Sequence, residues 1–466
     1  MSTLRDMDLP RIQKALSEIP LSPASSILLG LLLLVREGYK TDFPKVPKIR
    51  FVLGFRLFIG HLSSLGGRQK LNDATVFSIW GARLSSGVFQ IRLGSQRNIV
   101  VDSWAAMKDL WVERNTSLLD RAHQKGYLDY IGVDISGSPT TEQIRKCRTS
   151  ALKALGKPMW PYYCPLIEHN SVNFIKALYQ KEKTERKLWR CTLAPTKGNG
   201  GATKILVAAK ERQRCIDIFY GQYLQKVEDG ETPTCIGSSL GADKLTLDEI
   251  HGTCMSLLQA APGTVSSSVY QCCAWLCSPE GRPFQAEKIA FQQEKVPLVV
   301  SLYNETRRFF STAAFNHRRA SKEIHIYDTD PEHYGQDAFT FIPRRFMNDN
   351  TPTPQLSYGI GGRICPAWMI SNWIMGETLT RLILAFEVKQ VERTRLPNTD
   401  MIDFSDKYGL VAMPRSYDCA FVARDEKWLK STSGVRSAGA VATHTRRIGE
   451  AEPAEARNYS SRSLKY

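Results

Sequence analysis

Cys365 lies within the segment SYGIGGRICPAWM, where three glycines and an arginine precede the cysteine and a proline follows it. Proline favours the first turn of a helix, so the thiol is expected at a helix start, where the helix dipole and free backbone N–H groups stabilise a thiolate. The glycines permit tight turns that bring further N–H groups towards the sulfur. A metal-binding thiolate fits this arrangement.

Other chemistries do not fit the same segment. No Gly-Lys-Ser/Thr sequence follows the glycines, as a phosphate-binding loop requires. Ile364 stands where a dinucleotide fingerprint has its third glycine, and no second cysteine lies close enough in sequence for a redox pair. A single thiolate, an apolar approach and Arg363, which can meet a carboxylate, together indicate haem with a cysteine axial ligand.

The segment resembles the haem-binding signature of the cytochrome P-450 monooxygenases. That signature has an aromatic residue seven positions before the cysteine, glycine four before, arginine two before and glycine two after. Here the positions hold Tyr358, Gly361, Arg363 and Ala367, so the aromatic residue and the last glycine depart from the usual pattern. The resemblance implies that Cys365 ligates the iron of haem b and that Tyr358, Gly361 and Arg363 belong to the cofactor site, with Arg363 on a propionate.

A long helix predicted from residue 247 onward carries the next motif. Thr246 and Glu249 fit a capping box, and Pro262 removes a backbone donor in the middle of the helix, which opens a local groove. Thr264 places a hydroxyl beside this break. Alone, the pattern is that of an ordinary kinked helix, but Thr264 matches the oxygen-activating threonine of the family.

Four further positions match the family in the expected order. Glu305 and Arg308 match its Glu-x-x-Arg motif, and Arg345 matches the arginine that completes the buried ion network. Arg318 or Arg319 matches a second arginine that binds a propionate. These residues are therefore expected to support the fold and the cofactor.

The resemblance covers most of residues 45–430 and implies a mainly α fold, with one large helical domain and a small β-rich region. Local patterns agree: residues 87–103 alternate around a Gly-Ser turn as a hairpin, and residues 142–186 are helical in character. The phrases VFQIRLGSQRNIVV, DPEHYGQDAFTFIPRRF and LVAMPRSYDC are similar to the fungal phenylacetate-hydroxylase branch and its secondary-metabolism relatives.

The chain divides into three predicted parts. Residues 1–36 include an uncharged stretch at 19–35, which lies at the lower edge of what spans a bilayer and is followed by basic residues that favour the cytosolic side. A buried core helix is the alternative for this stretch. Residues 37–433 form the monooxygenase domain, and residues 434–466 are predicted to be disordered. By resemblance, the single N-terminal helix anchors the protein in the endoplasmic reticulum membrane with its catalytic domain facing the cytosol.

The net charge of the chain indicates which classes of partner it can bind. The chain has 62 basic and 46 acidic residues, for a formal net charge of +16. It has no zinc-finger, RNP or helix-turn-helix signature, so nucleic acid is not the expected partner. A basic face suits an acidic flavoprotein, and the family resemblance implies NADPH-cytochrome P-450 reductase and a small-molecule substrate.

The expected function is hydroxylation or oxidation of a small aromatic or secondary-metabolite substrate with molecular oxygen. The chain is, however, shorter than the family pattern near residues 177–246, 291–296 and 309–330, and Gly263 replaces the acid that usually precedes the threonine. Two alternatives therefore stay open. One is a degenerate member with weak or no haem binding and no turnover; the other is a basic membrane-associated protein without a cofactor.

Overall fold

A computed structural model gives the fold of the chain. The residues that the structure describes are 22–23, 25, 30, 60–65, 73–93, 96–113, 131–185, 189–190, 202–230, 236–286, 296–312, 335–338, 340–347, 356–391, 395–397, 399 and 411–432. The predicted anchor at 19–35 lies almost entirely outside these residues, and the predicted tail at 434–466 lies wholly outside them. Within the described residues, no helix has the length and apolar character needed to cross a bilayer.

The described residues are mostly helical. The helices are α1 (Asp73–Leu84), α2 (Trp104–Lys108), α3 (Glu142–Ala154), α4 (Trp160–Glu185), α5 (Ala202–Glu228), α6 (Ile236–Ala242), α7 (Leu247–Cys277), α8 (Gly281–Ala286), α9 (Val296–Phe309), α10 (Trp368–Ala385) and α11 (Glu426–Thr432). A π-helical turn, Asp109–Glu113, continues α2. Short 3-10 turns are His61–Ser64, Lys157–Met159, Leu356–Tyr358 and Gly361–Arg363.

Two small antiparallel sheets accompany the helices. Strands β1 (Val88–Leu93) and β2 (Gln96–Val101) pair in the register Val88 to Val101 and Leu93 to Gln96, which confirms the hairpin predicted at 87–103. Strands β3 (Trp189–Arg190), β4 (Phe386–Gln390) and β5 (Asp418–Ala423) form a second sheet in the order β3-β5-β4. The predicted combination of a large helical part and a small β part is confirmed.

The largest core cluster joins α7, α9, α10 and the second sheet. It includes Leu298 and Leu302 of α9 and Leu379 of α10, each with no exposed surface. These residues bury one face of α9, and Glu305, which lies on the same face as Leu298 and Leu302, is held with Arg308 against residues 337–345. The packing of α9 in this core therefore determines the positions of Glu305 and Arg308.

Helix α7 begins as its sequence predicts. The Thr246 side chain accepts from the Glu249 backbone N–H, and the Glu249 carboxylate accepts from the Thr246 backbone N–H, so the capping box is confirmed. One turn later, a Cβ at Gly252 would lie 2.3 Å from the Val133 carbonyl oxygen. Glycine at this position therefore lets the helix approach the loop at residues 132–141, which lies beside the candidate site.

Candidate active site

The loop that carries Cys365 is closed by its own backbone. The Cys365 N–H donates to the Tyr358 carbonyl at 2.9 Å, and the Ile364 N–H donates to the Gly361 carbonyl at 3.0 Å. Gly359 and Gly361 have φ angles of 76° and 70°, a region that glycine enters without the steric cost of a Cβ. The predicted turns are thus present, and they hold the thiol immediately before α10.

The helix after the thiol begins slightly later than predicted. Pro366 and Ala367 form a turn, and the first residue of α10 is Trp368. The Trp368 N–H donates to the Cys365 carbonyl at 3.4 Å. Helix limits commonly vary by one or two residues, so the thiol still lies at the N-terminal end of α10.

Two opposing effects act on the thiol of Cys365. Burial raises its pKa above the ordinary value, while the Ala367 backbone N–H and the positive charge of Arg148 act in the opposite direction. The surroundings alone therefore do not make a stable thiolate. A bound metal ion deprotonates a coordinating thiol outright, so the site favours a thiolate only when it serves as a ligand.

Arg148 of α3 is a site residue that the sequence interpretation did not single out. Its side chain is only 8% exposed, and its guanidinium donates to the Ile135 and Ile364 carbonyls at 2.9 and 2.6 Å. Burial lowers its pKa, and the nearby Cys365 and Asp134 raise it. The signal was present in the sequence: Arg148 follows Ile144 by four residues, so it falls on the apolar face of the helix.

Arg363, predicted to bind a propionate, is also buried, with 4% of its surface exposed. Its guanidinium donates to the Ser138 carbonyl. Arg148 and Arg363 thus reach the same loop, residues 132–141, from two directions. Two cationic side chains therefore lie close to Cys365: Arg363 is two residues before it, and Arg148 contacts the carbonyl of Ile364.

These residues fit a haem group. Within the described part of the chain, no carboxylate lies within ion-pair distance of Arg148, although a buried cation is costly unless it is paired. A propionate would supply that anion. The donor set is likewise suitable: one thiol at a helix start, on a loop whose Leu356 and Ile360 pack in an apolar cluster with Trp111.

The structure brings the three predicted ion-network residues together. The Arg308 guanidinium donates to both Glu305 carboxylate oxygens, at 2.7 and 2.8 Å, and the side chains of both residues are fully buried. Arg345 donates to Glu305 at 3.3 Å and to the Asp337 carboxylate at 2.9 Å. The Ile342 N–H also donates to Glu305 at 2.8 Å. This network joins α9 to the segment that precedes the Cys365 loop.

Thr264 lies on an unbroken helix. Pro262 is within α7, which continues through it to Cys277. The Thr264 hydroxyl donates to the Ala260 and Ala261 carbonyls at 2.8 and 3.3 Å. Because a hydroxyl has one proton and two lone pairs, its oxygen can still accept a hydrogen bond from water or a ligand.

Arg318 and Arg319 lie outside the described residues. Tyr358 and Gly361 contribute backbone carbonyls to the Cys365 loop. The Tyr358 side chain turns away to α9 and α10, where its hydroxyl contacts Arg307 and Asn372. Arg307 is a second residue in this region that the sequence interpretation missed.

Comparisons with known proteins point to one group of enzymes. No family model matches the chain. The phenylacetate 2-hydroxylase of Emericella nidulans is 23% identical over 498 aligned positions, which cover 85% of this chain and 95% of that protein. The 3-hydroxyphenylacetate 6-hydroxylase of the same organism is 21% identical over 499 positions, which cover 86% and 94%. A zebra fish cytochrome P-450 solved with progesterone superposes with a TM-score of 0.60 at 14% identity, covering 76% of this chain and 100% of that chain.

The two fungal alignments also bear on the length of the chain. Each alignment has more positions than this chain has residues, 466, although it covers less than nine tenths of those residues. The alignments must therefore contain gaps on this chain's side. They agree with the interpretation that the chain lacks segments that its relatives possess.

Proposed function

We propose that the chain is a cytochrome P-450 monooxygenase that hydroxylates a small aromatic acid or a related secondary metabolite. The two fungal relatives act, by name, on phenylacetate and 3-hydroxyphenylacetate. Their similarity extends over most of both chains, which supports a substrate of the same chemical class. The observation that carries the site assignment is the loop that holds Cys365 beside Arg148.

Each group of residues has a separate role in the proposed site. Cys365 would ligate the iron of haem b, and Arg148 and Arg363, which contact the loop at residues 132–141, would hold its propionates. When bound, a thiolate-ligated haem iron supplies oxygen activation, because electron donation from the sulfur favours O–O cleavage. Thr264 accepts a hydrogen bond at its hydroxyl oxygen and so orients water for proton delivery. Glu305, Arg308 and Arg345 keep α9 against the segment before the loop.

Two spectra and one product assay test this function. The purified, reduced protein should show the red-shifted Soret band of a ferrous-CO thiolate adduct, and phenylacetate should shift the spectrum of the ferric protein on binding. With a reductase and NADPH, a hydroxylated product should form. A protein that shows the shifted band but neither binds nor converts any aromatic acid would contradict the proposed substrate class while leaving the haem site intact.

Thr264→Ala is expected to increase the share of electrons lost to peroxide more than it changes haem content. The residue before Thr264 is glycine, so Thr264 has no carboxylate next to it in sequence to share the proton delivery. The measurement is product formed per NADPH consumed. Ser268→Ala is the matched control, because its hydroxyl also donates to the carbonyl four residues earlier. An unchanged ratio in Thr264→Ala would instead assign the proton delivery to another hydroxyl, such as Ser267.

We further propose that residues 19–35 anchor the protein in the endoplasmic reticulum membrane and that NADPH-cytochrome P-450 reductase supplies its electrons. The stretch is uncharged and is followed by Arg36, Lys40 and Lys45. The net charge of +16 supports an acidic partner and attraction to an anionic membrane surface. The domain from residue 37 onward would then face the cytosol.

Deletion of residues 1–36 is expected to release the protein from membranes without removing its haem, because the anchor precedes the domain that holds the site. Membrane fractionation at low and high salt measures this. Basic surface residues should retain part of the truncated protein at low salt only. Truncated, haem-containing protein that stays in the membrane pellet at high salt would contradict a sole anchor at residues 19–35.

Two observations favour the degenerate alternative. The alignments contain gaps in this chain, and residues 258–262 of α7, just before Thr264, are exposed in the structure. A closed site is needed to limit side reactions. An isolated protein without haem, or one whose ferrous-CO band is not shifted, would favour this alternative over an active enzyme.

A further inference from the structure

Arg307 of α9 is a buried cation that the proposed chemistry does not use. Only 3% of its surface is exposed. It lies between Glu305 and Arg308 in sequence, but residues one or two apart on a helix do not face the same way. Its guanidinium accordingly points away from the ion network and towards the Cys365 loop.

The contacts of Arg307 connect three elements. Its Nη1 donates to the Tyr358 hydroxyl and the Asn372 side-chain oxygen, and its Nη2 donates to the Asn304 side-chain oxygen at 2.6 Å. The Tyr358 hydroxyl donates to the same Asn372 oxygen at 2.7 Å. The guanidinium carbon lies 5.0 and 4.5 Å from the ring centroids of Tyr303 and Tyr358. Thus α9, α10 and the turn before Cys365 meet at one side chain.

None of these contacts supplies a negative charge. Within the described residues, no carboxylate lies within ion-pair distance of Arg307, and its Nε has no hydrogen-bond partner there. A phenol is neutral near pH 7, and burial raises the pKa of Tyr303 further, to about 12. A buried cation held only by dipoles and aromatic rings is unfavourable for folding. An apolar side chain of similar length is expected to support the fold at least as well.

We propose that Arg307 is a positioning residue for the thiolate: it holds the Tyr358 turn, and the turn holds Cys365. The connection is direct, because the Tyr358 carbonyl accepts the Cys365 N–H at 2.9 Å while the Tyr358 side chain is held by Arg307 and Asn372. Tyr358 supplies the hydroxyl that accepts a hydrogen bond from Arg307, which a phenylalanine could not do. This role rests on the proposed function of Cys365 as a haem ligand.

The test compares Arg307→Met, which keeps the stem and removes the charge, with Arg307→Lys, which keeps the charge and loses the planar fork. Hydrogen exchange of a peptide spanning residues 356–365 is measured in haem-free protein. Haem transfer to apomyoglobin, the ferrous-CO band and the thermal unfolding midpoint of the haem-free protein are measured in parallel. None of these measurements depends on turnover.

In Arg307→Met we expect about tenfold faster exchange in the loop and about tenfold faster haem loss, the factor that corresponds to losing a charged hydrogen bond. The ferrous-CO band should move partly to its unshifted position. The unfolding midpoint should be unchanged or higher, because an unpaired buried cation has been removed. Arg307→Lys should recover part of the loop order. A merely structural role predicts the opposite pattern: a lower midpoint with an unchanged loop.

Two further variants sharpen the result. Arg381→Met is the matched control, since Arg381 is largely buried on α10 but pairs with Glu377; it should lower the midpoint without changing the loop. Tyr358→Phe should reproduce the loop effect of Arg307→Met, and the double variant should add little to either. Additive effects, or no change in exchange and haem loss in Arg307→Met, would overturn the proposal. Wild-type protein that binds no haem would overturn the proposed function. It would not decide the role of Arg307 in holding the loop, because the exchange measurement on haem-free protein tests that role separately.

Discussion

Cys365→Ser is expected to abolish both the red-shifted ferrous-CO band and product formation. A serine hydroxyl is a harder and far less acidic ligand than a thiol, so it cannot donate electrons to iron as a thiolate does. The neighbouring groups do not compensate, since burial raises the pKa of the Cys365 thiol and disfavours a charged oxygen ligand in the same place. The expected loss is complete within the detection limit of the CO-difference spectrum.

Cys215→Ser on α5 is the control for this experiment, because Cys215 is a half-buried free thiol elsewhere in the chain. It should leave the spectrum unchanged. Urea unfolding of the haem-free Cys365→Ser protein should give nearly the wild-type midpoint, since exchange of sulfur for oxygen leaves the loop backbone bonds in place. A Cys365→Ser protein that retained the shifted band would refute the assignment of this thiol as the ligand.

Apart from the ion network, which the family resemblance implied, the features that sequence predicted correctly are those with local causes. The capping box depends on two side chains three residues apart, and the hairpin on alternation around a Gly-Ser turn. The glycine turns before Cys365 likewise follow from neighbouring residues, and the structure contains them. Such features need no knowledge of the rest of the fold, because the groups that make them are adjacent in the chain.

Contacts between distant segments were harder to predict. The bond from Arg148 to the Ile364 carbonyl spans 216 positions in sequence. Its position on an apolar helix face shows that Arg148 is buried, but it does not identify the acceptor. Arg307 was missed for a similar reason: the neighbouring Glu305 and Arg308 form a recognisable pattern, whereas its own contacts come from two other elements. A partner of this kind is set by packing, which local sequence does not encode.

The ion network gives the second large expected effect, because Glu305→Gln removes the carboxylate that both Arg308 and Arg345 contact. The Arg308 and Glu305 side chains are fully buried, whereas Arg345 retains Asp337, whose side chain is 52% exposed. Most of the cost therefore falls on Arg308, which loses its anion while its side chain stays buried. Breaking a buried pair in this way costs about 3–5 kcal/mol of the free energy of unfolding.

Urea unfolding of the haem-free protein measures this cost, with Glu387→Gln as the matched control. Glu387 pairs with Lys389 at 3.0 Å on β4, and both side chains are nearly half exposed, so its loss should cost less than about 1 kcal/mol. Should Glu305→Gln not fold, Arg345→Gln provides a milder variant, since the Arg308 pair with Glu305 then remains. Its cost should fall between those of the other two variants. A Glu305→Gln protein as stable as Glu387→Gln would show that the buried network does not hold α9 to residues 337–345, and the positions of Arg307 and of the Cys365 loop would then need another support.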